Sequence, residues 1–272
     1  MVRSAGISAF LWAILSLLGG SSAGQEEGKI VSALVEGTDL VVLRPDGQRI
    51  EGGALIGAVV VGGDLEHGRT AVRIDRLRPD PDDAEITLYD LSVRDAKTGD
   101  WNPVCDPDNR GVSGGFFLAG SWNTGGKHLH DEKFSVSCTS GAIGKCVRAG
   151  YKPWKIASDG RSMWDYHQAC VRVIRADYCG NGISHTRNGV LINIIDRLTP
   201  EEPSSGLEFE AAWTPEGASC VARPRLWTSS LEQIVASCPE RLRDRVGAAC
   251  SMTEELASPE VLLINKSAPK AQ

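Results

Sequence analysis

Apolar and polar positions along the first part of the chain alternate in short runs broken by turn residues. Asp39-Leu-Val-Val-Leu43 precedes Pro45-Asp46-Gly47, a turn in which glycine tolerates positive φ. Residues 54–61 form an apolar run that Gly62-Gly63-Asp64 breaks. Thr70-Ala-Val-Arg-Ile-Asp75 and Ala84-Glu-Ile-Thr-Leu-Tyr89 show the period of two that marks half-buried strands, with Leu91-Ser-Val-Arg94 continuing the second. Residues 79–83 make an acidic, proline-containing loop. Short strands with frequent turns predict a small sandwich or barrel over residues 30–125.

Further along the period lengthens. Residues 111–127, rich in Gly, Ser and Asn, read as a link between two halves, with Phe116-Phe-Leu118 as one more strand. Ser140 caps a predicted helix over residues 141–149, which Gly150 ends and Pro153 keeps from continuing. A second helix is predicted over residues 163–178, where Met163, His167, Cys170, Val171 and Ile174 make a buried stripe and Arg172 and Arg175 lie away from it. A hairpin follows: residues 183–186, the Asn188-Gly189 turn, and residues 190–195. A strand pair is expected at residues 207–213 and 219–222, helices at residues 231–238 and 241–249, and a final strand at residues 261–264. The fold class is α+β: a β-rich region over residues 30–125, then a cysteine-rich module over residues 126–266 holding a helical pair, a hairpin and C-terminal helices, then a loose tail over residues 267–272.

Residues 1–24 have the form of a secretory signal. Arg3 gives the positive start, residues 7–18 the apolar run, and Ser21-Ser-Ala-Gly24 the small residues that suit cleavage. The apolar run is shorter than the roughly 20 residues a bilayer span needs, and no other stretch of the chain reaches that length. The expected location is therefore secreted or periplasmic. All eight cysteines lie beyond the leader, and an even number in an exported chain favours disulfides. Intervals of seven residues (138/146), eight (170/179) and eleven (238/250) do not fit the short ligand pairs of zinc sites. The 29 basic and 35 acidic residues leave the chain mildly acidic, and no basic stripe interleaves with aromatics, so nothing points to nucleic acid.

Four cysteines, Cys138, Cys146, Cys170 and Cys179, fall within 42 residues. If a single helix holds both Cys170 and Cys179, they stand roughly 13 Å apart, beyond the 7 Å or so that a disulfide spans between Cα atoms. Antiparallel packing of the two helices predicts Cys146–Cys170 and Cys138–Cys179 as rungs between them; parallel packing would give Cys138–Cys170 and Cys146–Cys179. Cys238–Cys250 and Cys105–Cys220 then remain by elimination.

These residues resemble a known family. Phe134-Ser-Val-Ser-Cys-Thr-Ser-Gly-Ala-Ile-Gly-Lys-Cys-Val147, Gly150-Tyr-Lys-Pro-Trp154, His167-Gln-Ala-Cys170 and Arg175-Ala-Asp-Tyr-Cys-Gly-Asn-Gly-Ile-Ser-His-Thr186 are similar to the ADYC domain. So are the Asn188-Gly189 turn, Trp213-Thr-Pro-Glu-Gly-Ala-Ser-Cys220, Pro103-Val-Cys105 and Leu262-Leu-Ile-Asn265. The resemblance covers most of the chain beyond the leader and implies an exported bacterial protein. It implies no activity and no ligand.

Candidate chemistry is sparse. His128-Leu-His130-Asp131-Glu132 is the best metal candidate, because residues two apart on a strand point the same way and imidazoles bind zinc, copper or nickel. A solvated polar loop is the competing reading. Cys179 with His185 and Asp177 has the residue types of an activated nucleophile, but an oxidised cysteine has no thiolate. His167 fits a hydrogen-bonded core histidine, and Tyr151, Trp154 and Trp164 fit packing better than a ligand groove. No nucleophile elbow, phosphate-cradling loop or metalloprotease helix is present in the sequence. The expectation is a non-catalytic binding or envelope-associated module with an unknown ligand or envelope partner and no cofactor. The alternative is a secreted metal-assisted hydrolase using His128 and His130.

Overall fold

The computed structural model of the chain describes residues 14–16, 32–64, 68–199 and 206–269. It resolves into two compact units. One comprises Met1–Ser121 with Leu129–Arg148, the other Trp122–His128 with Ala149–Gln272.

The first unit is built from sheets; residues 70–75 keep the predicted period of two, with Val72 and Ile74 buried between half-buried neighbours, whereas Leu40-Val-Val42 and Phe116-Phe-Leu118 are buried without alternation. A three-stranded sheet joins β2 (Ser32–Glu36), β3 (Asp39–Leu43) and β4 (Arg49–Ile50). A seven-stranded sheet runs in the order β1 (Ile14–Ser16), β5 (Val59–Asp64), β6 (Gly68–Pro79), β7 (Thr87–Arg94), β9 (Gly115–Trp122), β10 (His128–Cys138), with β8 (Trp101–Pro103) also paired to β7. Leu40 and Val42 of the smaller sheet share one core with Val60, Val72, Ile74, Leu91 and Phe117 of the larger. Edge-on contacts of the Phe117 ring with Tyr89 (4.9 Å) and Phe134 (5.8 Å) fill its centre. The apolar run at residues 54–61 is divided: a 3-10 turn covers Gly52–Leu55 and the strand starts at Val59.

The acidic loop after β6 has a partner that periodicity did not reveal. Helix α1 (Ala142–Arg148) ends on Arg148, whose buried guanidinium reaches Asp80 at 2.6 Å, Asp82 at 3.0 Å and also Asp108. Burial pushes the Asp108 carboxyl up, but the amides of Arg110 and Val112 and the Arg148 cation outweigh it and hold the group below its ordinary range. The Cys105–Cys138 disulfide ties the segment after β8 to the end of β10.

In the second unit a four-stranded antiparallel sheet has the order β11 (Ile192–Asp196), β14 (Leu263–Ser267), β12 (Glu208–Thr214), β13 (Gly217–Val221). Helix α2 (Met163–Arg175) packs on β12, β13 and β14. Ser162 caps its start, and its hydroxyl accepts from the Trp164 amide. The short helices α3 (Leu231–Ser237), α4 (Pro239–Leu242) and α5 (Met252–Ala257) follow, α3 opening on a reciprocal capping box between Ser230 and Gln233. Ile195, Ala212, Cys220, Val261 and Ile264 form a core cluster.

Several expectations change. The second helix stops at Arg175, three residues early, because Ala176 turns left-handed. Residues 183–186 are not a strand; the strand after Asn188-Gly189 pairs instead with β14 along its whole length. The helix expected over residues 241–249 is only the four-residue α4 and a 3-10 turn at Gly247–Ala249. Arg172, expected off the buried face, is itself buried.

Three expected disulfides are overturned. Cys138 bonds Cys105, Cys179 bonds Cys238, and Cys220 bonds Cys250, so Cys138–Cys179, Cys238–Cys250 and Cys105–Cys220 do not form. The reason is local. Cys138, though it precedes α1, is the last residue of β10 and meets Cys105 just after β8, and Cys179 lies past the end of α2, where it meets Cys238 at the C-cap of α3. Cys146 and Cys170 are also disulfide-bonded. Of the expected leader, only residues 14–16 are described; its other residues lie outside the described ones, as do residues 200–205 and 270–272.

Candidate functional site

The geometry around residues 176–182 follows from one unusual residue. Ala176 caps α2 with φ 48° and ψ 43°, a conformation that costs a residue with Cβ about 1–2 kcal/mol, and its side chain is fully buried. The turn folds Asp177 back against the helix it has just left. The Asp177 carboxylate, itself buried, meets Arg172 at 2.5 Å and accepts from the amides of Asn181 (3.1 Å) and Gly182 (2.9 Å). Arg172 also donates to the carbonyls of Gly125 (2.6 Å) and Pro215 (3.3 Å), holding the loop before β10 and the turn after β12. A buried pair of this kind is tolerable because nearly every polar atom has a partner.

Tyr178 enters the core from the same turn. Its ring stacks on Trp213 with centroids 5.4 Å apart, and its hydroxyl donates to Glu210 (3.0 Å) and accepts from the Arg225 amide (2.9 Å). The Arg225 guanidinium grips both Glu210 oxygens at 2.9 Å and donates to the carbonyls of Val173 (2.8 Å) and Ile174 (3.2 Å) at the end of α2. Burial, reinforced by Glu210, pushes the Tyr178 phenol well above its ordinary range. Cys179 closes the turn on Cys238. Space next to it admits only glycine: a Cβ on Gly180 would lie 1.6 Å from the Glu216 carbonyl oxygen, at φ +69°.

Ala176, Asp177, Tyr178 and Cys179 thus join α2, β12 and α3 through four different contacts. The ADYC domain model matches residues 52–227, more than half of the chain. The chain belongs to the ADYC domain family. No curated protein and no solved structure matches it. In this ADYC domain the tetrapeptide is a clasp: a left-handed cap, a buried carboxylate, an anchored phenol and a disulfide in succession.

The residues considered for nucleophilic catalysis are brought near one another but spent otherwise. Cys179 is oxidised and Asp177 is paired with Arg172. His185 lies with its Nδ1 3.5 Å from the Ser229 hydroxyl and its ring 5.5 Å from that of Tyr178. Burial lowers its pKa, against the opposing pull of Asp177.

The metal candidates are not assembled. His128 is buried, its ring stacked on Trp164 at 3.6 Å and its amide donating to Gln168 at 2.8 Å. His130 is exposed on β10. Asp131 accepts from the Ser121 hydroxyl at 2.7 Å and lies 3.6 Å from the Lys133 ammonium. Among the described residues no group of three or more His, Cys, Asp or Glu is placed to hold a metal ion. His167 is buried in the same aromatic nest as Trp122 and Trp164, and Tyr151 is buried with its hydroxyl on Asp196 at 2.8 Å.

Sequence reasoning missed Glu210 and Arg225, the buried pair that anchors Tyr178. The one available signal was a carboxylate between Phe209 and Ala211-Ala212-Trp213, which alternation alone reads as an ordinary outward residue. A bulge between Phe209 and Ala211 breaks that alternation. Beside this network a cavity of about 370 Å³ opens between Arg187, Val190, Leu191, Leu226 and Ala268. Leu191 and Trp227, 65% and 59% exposed, are among the apolar side chains left in solvent.

Proposed function

We propose that this ADYC domain protein is exported and acts as a disulfide-stabilised, non-catalytic binding or envelope-associated module, secreted or retained in a periplasm. The observation that supports the reading most is the fate of its signature residues. All eight cysteines are oxidised, and the charged and phenolic groups of the tetrapeptide are satisfied internally. Such groups stabilise a scaffold and leave no thiolate or free carboxylate facing solvent there. Oxidising compartments form and keep disulfides, which favours export. Among the described residues no helix is long and apolar enough to cross a membrane.

The test is to express the full chain in a bacterium and recover it from envelope and medium fractions. N-terminal sequencing should place the start at residue 24 or 25, with all cysteines blocked to alkylation. Recovery in the cytoplasm with free thiols would refute the reading. Metal analysis of the same preparation addresses the hydrolase alternative built on His128 and His130. Stoichiometric zinc or copper, lost in a His128→Ala, His130→Ala double variant, would replace the binding-module reading with that one.

A further inference from the structure

The strand β1 comes from inside the leader. It pairs antiparallel with β5 in the register Ile14 to Val61, Leu15 to Val60 and Ser16 to Val59. On its other side β5 is fully engaged by β6, from Val59 opposite Arg73 to Asp64 opposite Gly68. Leader residues therefore cover one backbone edge of Val59-Val60-Val61, and cleavage after Ala23 or Gly24 would remove them. The edge left behind has unusual chemistry. Three successive valines are followed by Gly62-Gly63, with no lysine or proline, the residues that commonly guard exposed edges. Val60 is fixed in the core, so the strand cannot easily roll its edge away.

We propose that β1 is a placeholder, and that in the processed protein β5 pairs with β5 of a second copy across a two-fold axis at Val60. This rests on the export reading above. The three-valine run is self-complementary: an antiparallel pair centred on Val60 sets Val59 of each copy opposite Val61 of the other, in the geometry the leader strand already uses. Isologous pairing of this kind closes as a dimer instead of growing into a fibre. β-Branched residues facing each other across an antiparallel pair stabilise it, whereas Gly62 and Gly63 offer no side chains and so disfavour a register centred on them.

The experiment compares the exported protein, after N-terminal sequencing, with the uncleaved full chain by sedimentation velocity over a range of concentrations. The expected result is a dimer for the processed protein and a monomer for the uncleaved one. A Val61→Lys variant of the processed protein should sediment as a monomer with unchanged circular dichroism, and Val61→Thr, which keeps the β-branch, should stay dimeric. Hydrogen exchange at residues 59–61 gives a readout that needs no variant: protection should fall on dilution. A processed protein that is monomeric, including one whose new N-terminus folds back onto β5, overturns the proposal and leaves export standing. A dimer unaffected by Val61→Lys overturns it too. An exported protein that still contains residues 14–16 overturns the cleavage step and the proposal together.

Discussion

Asp177 is the residue on which the clasp turns, because its charge is met inside the protein by the buried Arg172 guanidinium. Asp177→Asn keeps the shape and leaves Arg172 buried without that counter-charge. It should cost about 3–5 kcal/mol, a large part of the roughly 5–15 kcal/mol that holds a typical domain together, measured by urea unfolding. Tyr178→Phe removes one hydroxyl that serves Glu210 and the Arg225 amide and should cost about 1–3 kcal/mol. Gly180→Ala should be worse than either, since no side-chain movement relieves a Cβ against the Glu216 carbonyl. His185 gives a pH signature. Burial holds its pKa below the ordinary 6.5, so the unfolded chain accepts a proton that the folded one resists. Its contribution is intact above pH 6.5 and is lost as pH falls from there through the folded value. His185→Gln should flatten that part of the stability profile, and thermal melts between neutral and mildly acid pH check it.

At the level of elements, the disulfides Cys105–Cys138, Cys179–Cys238 and Cys220–Cys250 tie together strands, loops and the ends of short helices. Cys179–Cys238 closes a separation of 59 residues, Cys105–Cys138 one of 33 and Cys220–Cys250 one of 30. In the chain-entropy picture loops of this size stabilise by about 3.6–4.3 kcal/mol each, the longest the most. A Cys179→Ala, Cys238→Ala double variant should lose about that much, and should loosen α3 first, since α3 has little buried surface of its own beyond Ile234. Peptide mapping without reduction should return these three linkages, with Cys146 joined to Cys170 as the remaining pair; a Cys138–Cys179 peptide would contradict the fold. The elements were unequally legible in the sequence. Asp39–Leu43, the start of α2 at Met163 and the capping residue of α3 follow from short-range pattern and turn chemistry. The end of α2 does not, because a left-handed alanine is held by tertiary contacts and no local preference announces it.

Taken whole, the protein carries disulfides in both of its units, Cys105–Cys138 in the first and Cys179–Cys238 and Cys220–Cys250 in the second. Its units are stapled by bonds that a reducing cytoplasm would not keep. Protein recovered from an oxidising compartment should be lighter than the reduced chain by the two hydrogens lost at each bridge. Dithiothreitol should lower its melting temperature sharply, and intact-mass spectrometry with calorimetry measures both. The buried ion groups around Arg148, Arg172 and Arg225 are also global in character, since each joins segments far apart in the chain.

Sequence alone determined the α+β class, the β-rich start, the membership of the ADYC domain family and the oxidised state of the cysteines. All of these rest on local period, residue type or motif, which a linear chain displays directly. Tertiary structure decided which cysteines pair, that Glu210 and Arg225 complete the clasp, and that His128, His130 and Asp131 take separate partners. Those outcomes depend on where remote segments meet, and the approach of one backbone to another leaves no period in the sequence.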